Sequence, residues 1–291
     1  MKLTFLGTGA AEGVPALYCR CRECIQARQN GGKDIRTRSA LRIGETHQID
    51  LPPETFYQMI KTNLDMYSIE HLLVTHSHLD HFQFEFLFEK VMSKENNGKP
   101  VNLYLSVEAW NFLKELLKPF EKKQSDKRIR TLWDWVKINP VKAYTNFRAG
   151  EIQVKTIEGN HTAWGENEKS LNYLLTLPNG KKLLYALDTG FYTDRAWEFL
   201  AGEGIDVLIM ECTFGGRKDR DDFPESHLDI NSFIKMLQRM EKEGIINQDT
   251  EIYATHINPH HGLLHHEIQK AFNELTTYRI TVAYDGLVFH I

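Results

Sequence analysis

Cysteine is scarce in this chain, with four in 291 residues, three of them inside Cys19-Arg20-Cys21-Arg22-Glu23-Cys24 and the fourth, Cys212, far downstream. So few thiols, so unevenly placed, do not make a disulfide framework, and the tight cluster speaks for metal binding in a reducing compartment. Long apolar runs are missing as well. No segment reaches the roughly 18 apolar residues of a membrane span, and Met1-Lys2-Leu3-Thr4-Phe5-Leu6-Gly7 reads as a short strand, without the basic start and apolar stretch of a signal peptide. A cytoplasmic protein with no membrane partner is the expectation. Positive charge is not in excess either, since 35 Lys and Arg stand against 39 Asp and Glu, for a net charge of −4. There is thus no global attraction to nucleic acid or acidic lipid. Internal repeats and low-complexity tracts are absent, and 42% hydrophobic with 25% charged residues is ordinary for a folded globular chain.

What the chain does have is one dense run of metal-binding side chains. Thr75-His76-Ser77-His78-Leu79-Asp80-His81 sets three imidazoles and a carboxylate in six positions, directly after the apolar Leu72-Leu73-Val74. At a strand end side chains alternate with a period of two, which puts His76 and His78 on one side, able to grip one cation. Beyond Leu79 the chain must turn, and Asp80 and His81 can then face a second cation. A lone histidine is usually a surface residue, but four ligands at this spacing are not a chance polar loop. A two-metal hydrolytic centre needs further ligands, including a bridging carboxylate. Three polar residues at strand ends offer them: His161 in Gly159-Asn160-His161-Thr162, Asp188 in Leu187-Asp188-Thr189-Gly190 and His256 in Ala254-Thr255-His256-Ile257. Strand ends along one edge of a sandwich converge on one face.

Short β-rich runs lie at 3–6, 40–43, 46–49, 72–75 and 101–105, and again at 152–157, 171–177, 182–186, 207–210, 251–254 and 280–283. Helical spacing is sparse in the first third. It is clear at 229–242, where Ile230, Phe233, Ile234, Leu237 and Met240 recur, and at 197–200 and 265–275. Two strand-rich halves with helices outside predict an α/β sandwich formed by a single domain, 1–291. Within it, 8–38 is an N-terminal loop carrying the cysteines and 87–150 an insertion. From Lys114 to Arg130 the insertion holds seven basic and three acidic residues. A solvated helix and loop is the favoured reading over guidance of a phosphorylated substrate, with Trp133 and Trp135 anchoring the segment to the core.

The motifs THSHLDH, GNHT, LDTG and THI, in this order and spacing, resemble those of the metallo-β-lactamase superfamily over essentially the whole chain. The resemblance implies a four-layer αββα sandwich, with His76, His78 and His161 on one metal, Asp80, His81 and His256 on the other, and Asp188 bridging. It also implies that Asp50 supports the site without binding metal. His78 in place of a glutamate resembles the hydrolase branch rather than the oxygen-reducing one. Asp188 in place of a cysteine resembles phosphodiesterases and thioesterases, which points away from antibiotic hydrolysis.

Cys19, Cys21 and Cys24 supply three thiolates, and a closed structural zinc site wants a fourth ligand. Cys212 follows the apolar Leu208-Ile209-Met210 and reads as a buried free thiol. A histidine from His256-Ile257-Asn258-Pro259-His260-His261 is the better source. Leu6-Gly7-Thr8-Gly9 through Gly13-Val14-Pro15, followed by the cysteines, resembles the PhnP branch of the superfamily, whose members act on small cyclic phosphates such as phosphoribosyl 1,2-cyclic phosphate. There the three cysteines and a histidine three positions after the last catalytic histidine hold a zinc. Pro259 occupies that place here, so His260 is the expected ligand and His261 the reserve.

Phosphodiester hydrolysis needs an activated water, charge neutralisation at phosphorus and a proton for the leaving alkoxide. Two divalent metals, Mn or Zn, supply the first two, with Asp80 counted among the catalytic residues as well as the ligands. The proton is assigned to His227 paired with Glu211, in a segment that resembles the acid and histidine pair of tRNA-processing relatives. A helix-capping role is the competing reading of His227. His47, His71, His265, His266 and His290 read as structural or surface residues, and Arg36 and Arg38 as surface ion-pair partners ahead of phosphate holders. The expected activity is dinuclear hydrolysis of a small cyclic phosphate. A tRNA-processing endoribonuclease is the alternative, without an evident Gly/Pro-rich tRNA-holding arm, and a non-catalytic metal-stabilised scaffold is the further one. The expected partner is a small phosphoester; nucleic acid is disfavoured and a homodimer stays open.

Overall fold

The computed structural model describes residues 1–93, 99–121, 127–217, 219–261 and 263–291. One sheet is built first, from β1 (Lys2–Gly7), β2 (Ala40–Ile43), β3 (His47–Ile49), β4 (His71–Leu73), β5 (Val101–Ser106) and β6 (Val136–Val141). The second follows, from β7 (Asn146–Ala149), β8 (Ile152–Thr162), β9 (Lys169–Thr176), β10 (Lys182–Ala186), β11 (Val207–Glu211), β12 (Glu251–Thr255) and β13 (Ile280–Val282), before β14 (Val288–His290) returns to pair with β1. Each sheet has seven strands, ordered 14-1-2-3-4-5-6 and 13-12-11-10-9-8-7. Each is antiparallel at one side and parallel at the other, β3 to β6 in the first and β10 to β13 in the second.

The layering follows from burial. Leu3, Phe5, Ile49 and Leu73 of the first sheet meet Tyr173, Leu175, Tyr185 and Ile209 of the second in the central core. Strands β10 and β11 are buried on both faces, which is why Lys182–Ala186 and Val207–Glu211 read as near-continuous apolar runs. Helices α1 (Arg22–Asn30), α2 (Thr55–Thr62), α3 (Leu87–Met92), α4 (Val107–Glu121), α5 (Lys127–Trp135), α6 (Asp194–Leu200), α7 (Ile230–Lys242) and α8 (His265–Leu275) complete the fold. Phe233, Met236, Leu237 and Phe272 cover Leu208 and Ile252 on the outer face of the second sheet, while Leu87, Leu113 and Leu117 cover Leu72 and Leu103 on that of the first. Each such burial contributes roughly 1.5–3 kcal/mol. This is the expected αββα sandwich.

Several expectations need correction. The first third is not poor in helix, since α1, α2 and α3 lie there; α1 and α2 each bury only two or three residues, too few to print a clear 3.6-residue period. Residues 87–150 are not a simple insertion. They contribute β5 and β6 to one sheet and β7 to the other, with two helices between β5 and β6. Trp133 packs edge-on against Trp110 at 5.6 Å on the outer core. Lys118 pairs with Glu115 in α4, and residues 122–126 of the charged run lie outside the described residues. No described helix is long and apolar enough to cross a membrane.

Candidate metal centre

Parallel strands deliver their carboxyl ends to one face, where open α/β sheets place their sites. Asp50 follows β3, Asp188 follows β10 and His256 follows β12. All three are in the left-handed region, with φ of 64°, 50° and 58°. For non-glycine residues that conformation is uncommon and costly, and Asp and His are among those that tolerate it best. Each strand therefore ends on a sharp change of direction at a ligand-type residue.

The histidine run is not the continuation of a strand. β4 stops at Leu73, and 75–81 forms bends and a turn closed by His81 N and Phe82 N donating to His78 O at 3.0 and 2.9 Å. Strand alternation is therefore not what brings His76 and His78 together. The loop is instead pinned at two points by buried carboxylates. Asp50, fully buried, accepts from Thr75 N at 2.8 Å and lies 2.7 Å from His81 Nδ1. Glu168, also fully buried, accepts from Ser77 N at 2.8 Å, Ser77 Oγ at 2.5 Å and Gly165 N at 2.7 Å. Ser77 sits between His76 and His78, so Glu168 sets both. Sequence reasoning missed it, because nothing in Gly165-Glu166-Asn167-Glu168 marks one glutamate as buried.

Around this loop the donor atoms gather. His76 Nε2 lies 3.0 Å from His78 Nδ1, and His161 Nε2 3.3 Å from the same atom. His81 Nε2 lies 3.3 Å from His256 Nε2 and 3.2 Å from Asp80 Oδ2. His161 lies on β8 itself rather than after it, near a register shift between Glu158 and Thr162 that re-aims its ring. Asp188 stands between the two groups. Its Oδ2 is 3.1 Å from His81 Nε2 and 3.2 Å from His256 Nε2, and its Oδ1 is 3.9 Å from His161 Nε2. A tetrahedral cation with ligands at about 2.0–2.1 Å sets neighbouring donor atoms roughly 3.3 Å apart, which these spacings match. Among the described residues Asp188 Oδ2 is moreover buried and has no hydrogen-bond partner. The donor set thus fits divalent cations, as does its mixture of imidazole and carboxylate.

Electrostatics agree. Burial, then the neighbouring His81, holds the His76 ring well below the ordinary histidine range, and burial brings His161 down to about 4. These are neutral imidazoles, the form that ligates. Burial alone would keep Asp188 protonated, but His256 and His81 hold it well below the usual carboxylate range. His81 is the exception: against burial, Asp188, Asp80 and Asp50 hold its pKa well above the usual value.

Beside Asp188 lies the acid and histidine pair. Glu211 is fully buried, yet its carboxylate accepts from Thr189 N and Gly190 N at 3.3 Å, Thr213 N at 3.1 Å and Leu228 N at 3.2 Å. His227 Nδ1 is 3.2 Å from Glu211 Oε1 and 3.8 Å from Asp188 Oδ1. Burial opposes charge on His227, but Glu211 foremost raises its pKa to about 9. The helix-capping alternative does not hold, because Asp229 caps α7 by accepting from Asn231 N and Ser232 N. Thr213, which sequence reasoning also passed over, puts its hydroxyl on Glu211 and 2.8 Å from His256 Nδ1.

The cysteines form a second group, with Cys19, Cys21 and Cys24 thiols within 4.8 Å of one another. The Cys21 amide, 3.4 Å from Cys19 Sγ, leads in lowering the Cys19 thiol to about 7, with the His260 side chain a minor contributor in the same direction. His261 turns away, its ring edge-on to Phe214 at 4.6 Å. Cys212 is fully buried in the outer core. Arg38 is the ion-pair partner expected of it, whereas Arg36 is not on the surface. Arg36 is buried and donates to Thr8 Oγ1 and Ala283 O, and Arg38 binds Glu54 and Ala11 O. His47 and His71 stack at 4.6 Å, away from the donor cluster.

The family model described as Beta-lactamase superfamily domain matches residues 51–257. Among solved structures, the fold is similar to that of a diphosphatase from the PhnP family, with a TM-score of 0.73 and 20% identity over 100% of this chain and 97% of that one. It is similar also to Zn(2+)-bound PqqB from Methylobacterium extorquens, with a TM-score of 0.70 and 18% identity over 100% of both chains. Human tRNase Z, short form, gives a TM-score of 0.61 and 18% identity over 100% of this chain and 99% of that one. A curated relative, an octanoyltransferase of Porphyromonas gingivalis (strain ATCC BAA-308 / W83), is 36% identical over 85 residues, which are 28% of this chain and only 16% of that protein's length.

Proposed function

The chain belongs to the beta-lactamase superfamily, and on that footing we propose that it is a metal-dependent hydrolase whose dinuclear centre cleaves a phosphodiester, in particular a small cyclic phosphate. The observation that carries this reading is the position of Asp188, which turns one oxygen towards His81 and His256 and the other towards His161 and His227. His76, His78 and His161 would hold one ion, Asp80, His81 and His256 the other, and Asp188 both. Bound there, manganese or zinc ions supply an activated water and neutralise charge on the phosphoryl oxygens.

The remaining steps belong to the chain. Asp50 and Thr75 fix the His81 and His76 rings, the hydroxyl of Thr75 lying 3.0 Å from His76 Nδ1. Glu211 occupies Nδ1 of His227 and favours its charged form, which leaves Nε2 to deliver a proton to the departing alkoxide. Cys19, Cys21, Cys24 and His260 are the proposed ligands of a structural zinc that ties the N-terminal loop to the segment after His256. A substrate of the kind named for the PhnP branch suits a chain with a net charge of −4 better than tRNA does.

The test is a panel of phosphoribosyl 1,2-cyclic phosphate, nucleoside 2′,3′-cyclic phosphates, precursor tRNA and acyl thioesters, offered to manganese- and zinc-loaded protein. Ring opening of a cyclic phosphate is expected. Cleavage of the tRNA or the thioesters alone would replace the proposal, and no turnover with either metal would favour a scaffold.

A further inference from the structure

Five tryptophans occur in the chain, and among the described residues Trp164 is the one that is exposed, with 53% of its surface open. Tryptophan is on average a highly buried residue, and others here follow that rule: Trp197 lies in the outer core, and Trp110 packs against Trp133. Trp164 instead stands at the metal centre. Its ring meets that of His78 edge-on, 5.3 Å between centroids, and Phe112, 6.1 Å away, flanks it without closing it off. His78 turns its Nδ1 towards His76 and His161, so a single imidazole links the indole to the donor cluster.

The backbone holds the indole in that place. Trp164 N donates to Ser77 Oγ at 3.2 Å, and the neighbouring Gly165 N donates to Glu168 at 2.7 Å. Glu168 is also the carboxylate that fixes Ser77 between His76 and His78. One buried group therefore sets both the histidine loop and the segment that carries the indole. Packing does not call for an indole left half bare on a segment fixed this firmly, whereas a ligand seated at the donor cluster can use its open surface.

We propose that Trp164 is a specificity-determining residue, the platform on which the base of a nucleoside cyclic phosphate stacks while its phosphate occupies the metal centre. The inference rests on the phosphodiesterase reading above and narrows its substrate to one that carries a nucleobase. In a nucleoside 2′,3′-cyclic phosphate a single furanose joins phosphorus to base, which suits a platform one imidazole away from the donor atoms. An aromatic face accepts the planar ring of any base. A ribose without a base presents only hydroxyls there, which water serves equally well.

The test compares adenosine 2′,3′-cyclic phosphate with methyl β-D-ribofuranoside 2,3-cyclic phosphate, which has the same ester and no base. In manganese-loaded wild-type protein, kcat/KM should favour the adenosine ester by about 5- to 150-fold, the contribution of one stacked base. Trp164→Ala should bring that ratio close to one, and Trp164→Phe, which keeps an aromatic face, should retain part of it. Each ratio is taken within one protein, so a general disturbance of His78 cancels. Binding is read separately by titration calorimetry, with adenosine 2′-monophosphate against methyl β-D-ribofuranoside 2-phosphate, and should show the same preference and the same loss. Hydrolysis of both esters with equal efficiency would overturn the inference and leave the phosphodiesterase reading standing. A preference that survives in Trp164→Ala would overturn it too, by placing the base elsewhere. Hydrolysis of neither ester, with a Trp164-dependent preference for adenosine 2′-monophosphate in the calorimeter, would remove the phosphodiesterase and uphold the stacking; without that preference both would fall.

Discussion

His227 Nδ1 lies 3.2 Å from Glu211 Oε1, a carboxylate with no exposed surface that four backbone amides hold in place. The pair is rigid on the carboxylate side, so only the far edge of the imidazole is free to act on a substrate. If that edge donates a proton, the demand for it depends on the leaving group. His227→Ala should slow hydrolysis of an alkyl diester by about 10²- to 10⁴-fold. It should slow a bis(4-nitrophenyl) ester far less, since nitrophenolate leaves without help. Metal content should not change. Equal losses on both substrates would move His227 from proton donor to positioning residue.

Asp188 divides its oxygens between two groups of imidazoles, whereas Cys24 belongs to a cluster that shares no ligand with them. Removing either should therefore empty different sites. Wild-type protein, dialysed and measured by plasma emission, should carry about three divalent ions per chain on the ligand arithmetic of two catalytic ions and one structural zinc. Asp188→Asn should retain about one, and Cys24→Ser about two. Parallel loss in both variants would join the sites into one folding unit.

The αββα layers were legible because long-range burial leaves a local trace: β10 and β11 are apolar throughout, and α7 repeats its apolar face after a capping aspartate. The donor residues were legible for a different reason, since imidazole and carboxylate in one short run have few structural uses. Strands β6, β7 and β14 were not. They lie at sheet edges, carry Lys137, Asn139 and Arg148, and alternate too weakly to declare a buried face. Nor could the sequence tell that β4 ends before the histidines, because its end is set by Asp50 and Glu168, 25 and 91 residues from the groups they bind.

Glu168 tests how far that remote support matters. Three donors converge on its buried carboxylate, and two belong to Ser77 between His76 and His78. Glu168→Gln keeps the volume but brings an amide N–H where an acceptor stood. Metal affinity, read by competition with a fluorescent zinc chelator, should fall about 10- to 100-fold, the usual cost of disturbing the groups that orient ligands. An unchanged affinity would show that the loop's fold is set by Asp50 alone.

Acid sensitivity should arise outside the metal centre as well. His47 is buried and stacks on His71, and burial followed by the neighbouring His47 brings the His71 ring down to about 4. His47 Nε2 donates to Ala149 O at 2.8 Å, which places the proton on that nitrogen, and Nδ1 lies beside the Thr46 hydroxyl at 2.9 Å. Unfolded histidines titrate near pH 6.5. Between that value and about 4 the unfolded chain therefore binds more protons than the folded one. The contribution of the pair is complete above about pH 6.5 and is lost as pH falls through this window. Metal ligands respond to acid in the same direction, so the comparison must be with His71→Phe, whose ring can still stack between His47 and Tyr104. Urea midpoints measured in chelator at pH 7.5 and pH 5 should fall less for the variant than for the wild type. Equal falls would trace the acid sensitivity to the metal ligands and acquit the stacked pair.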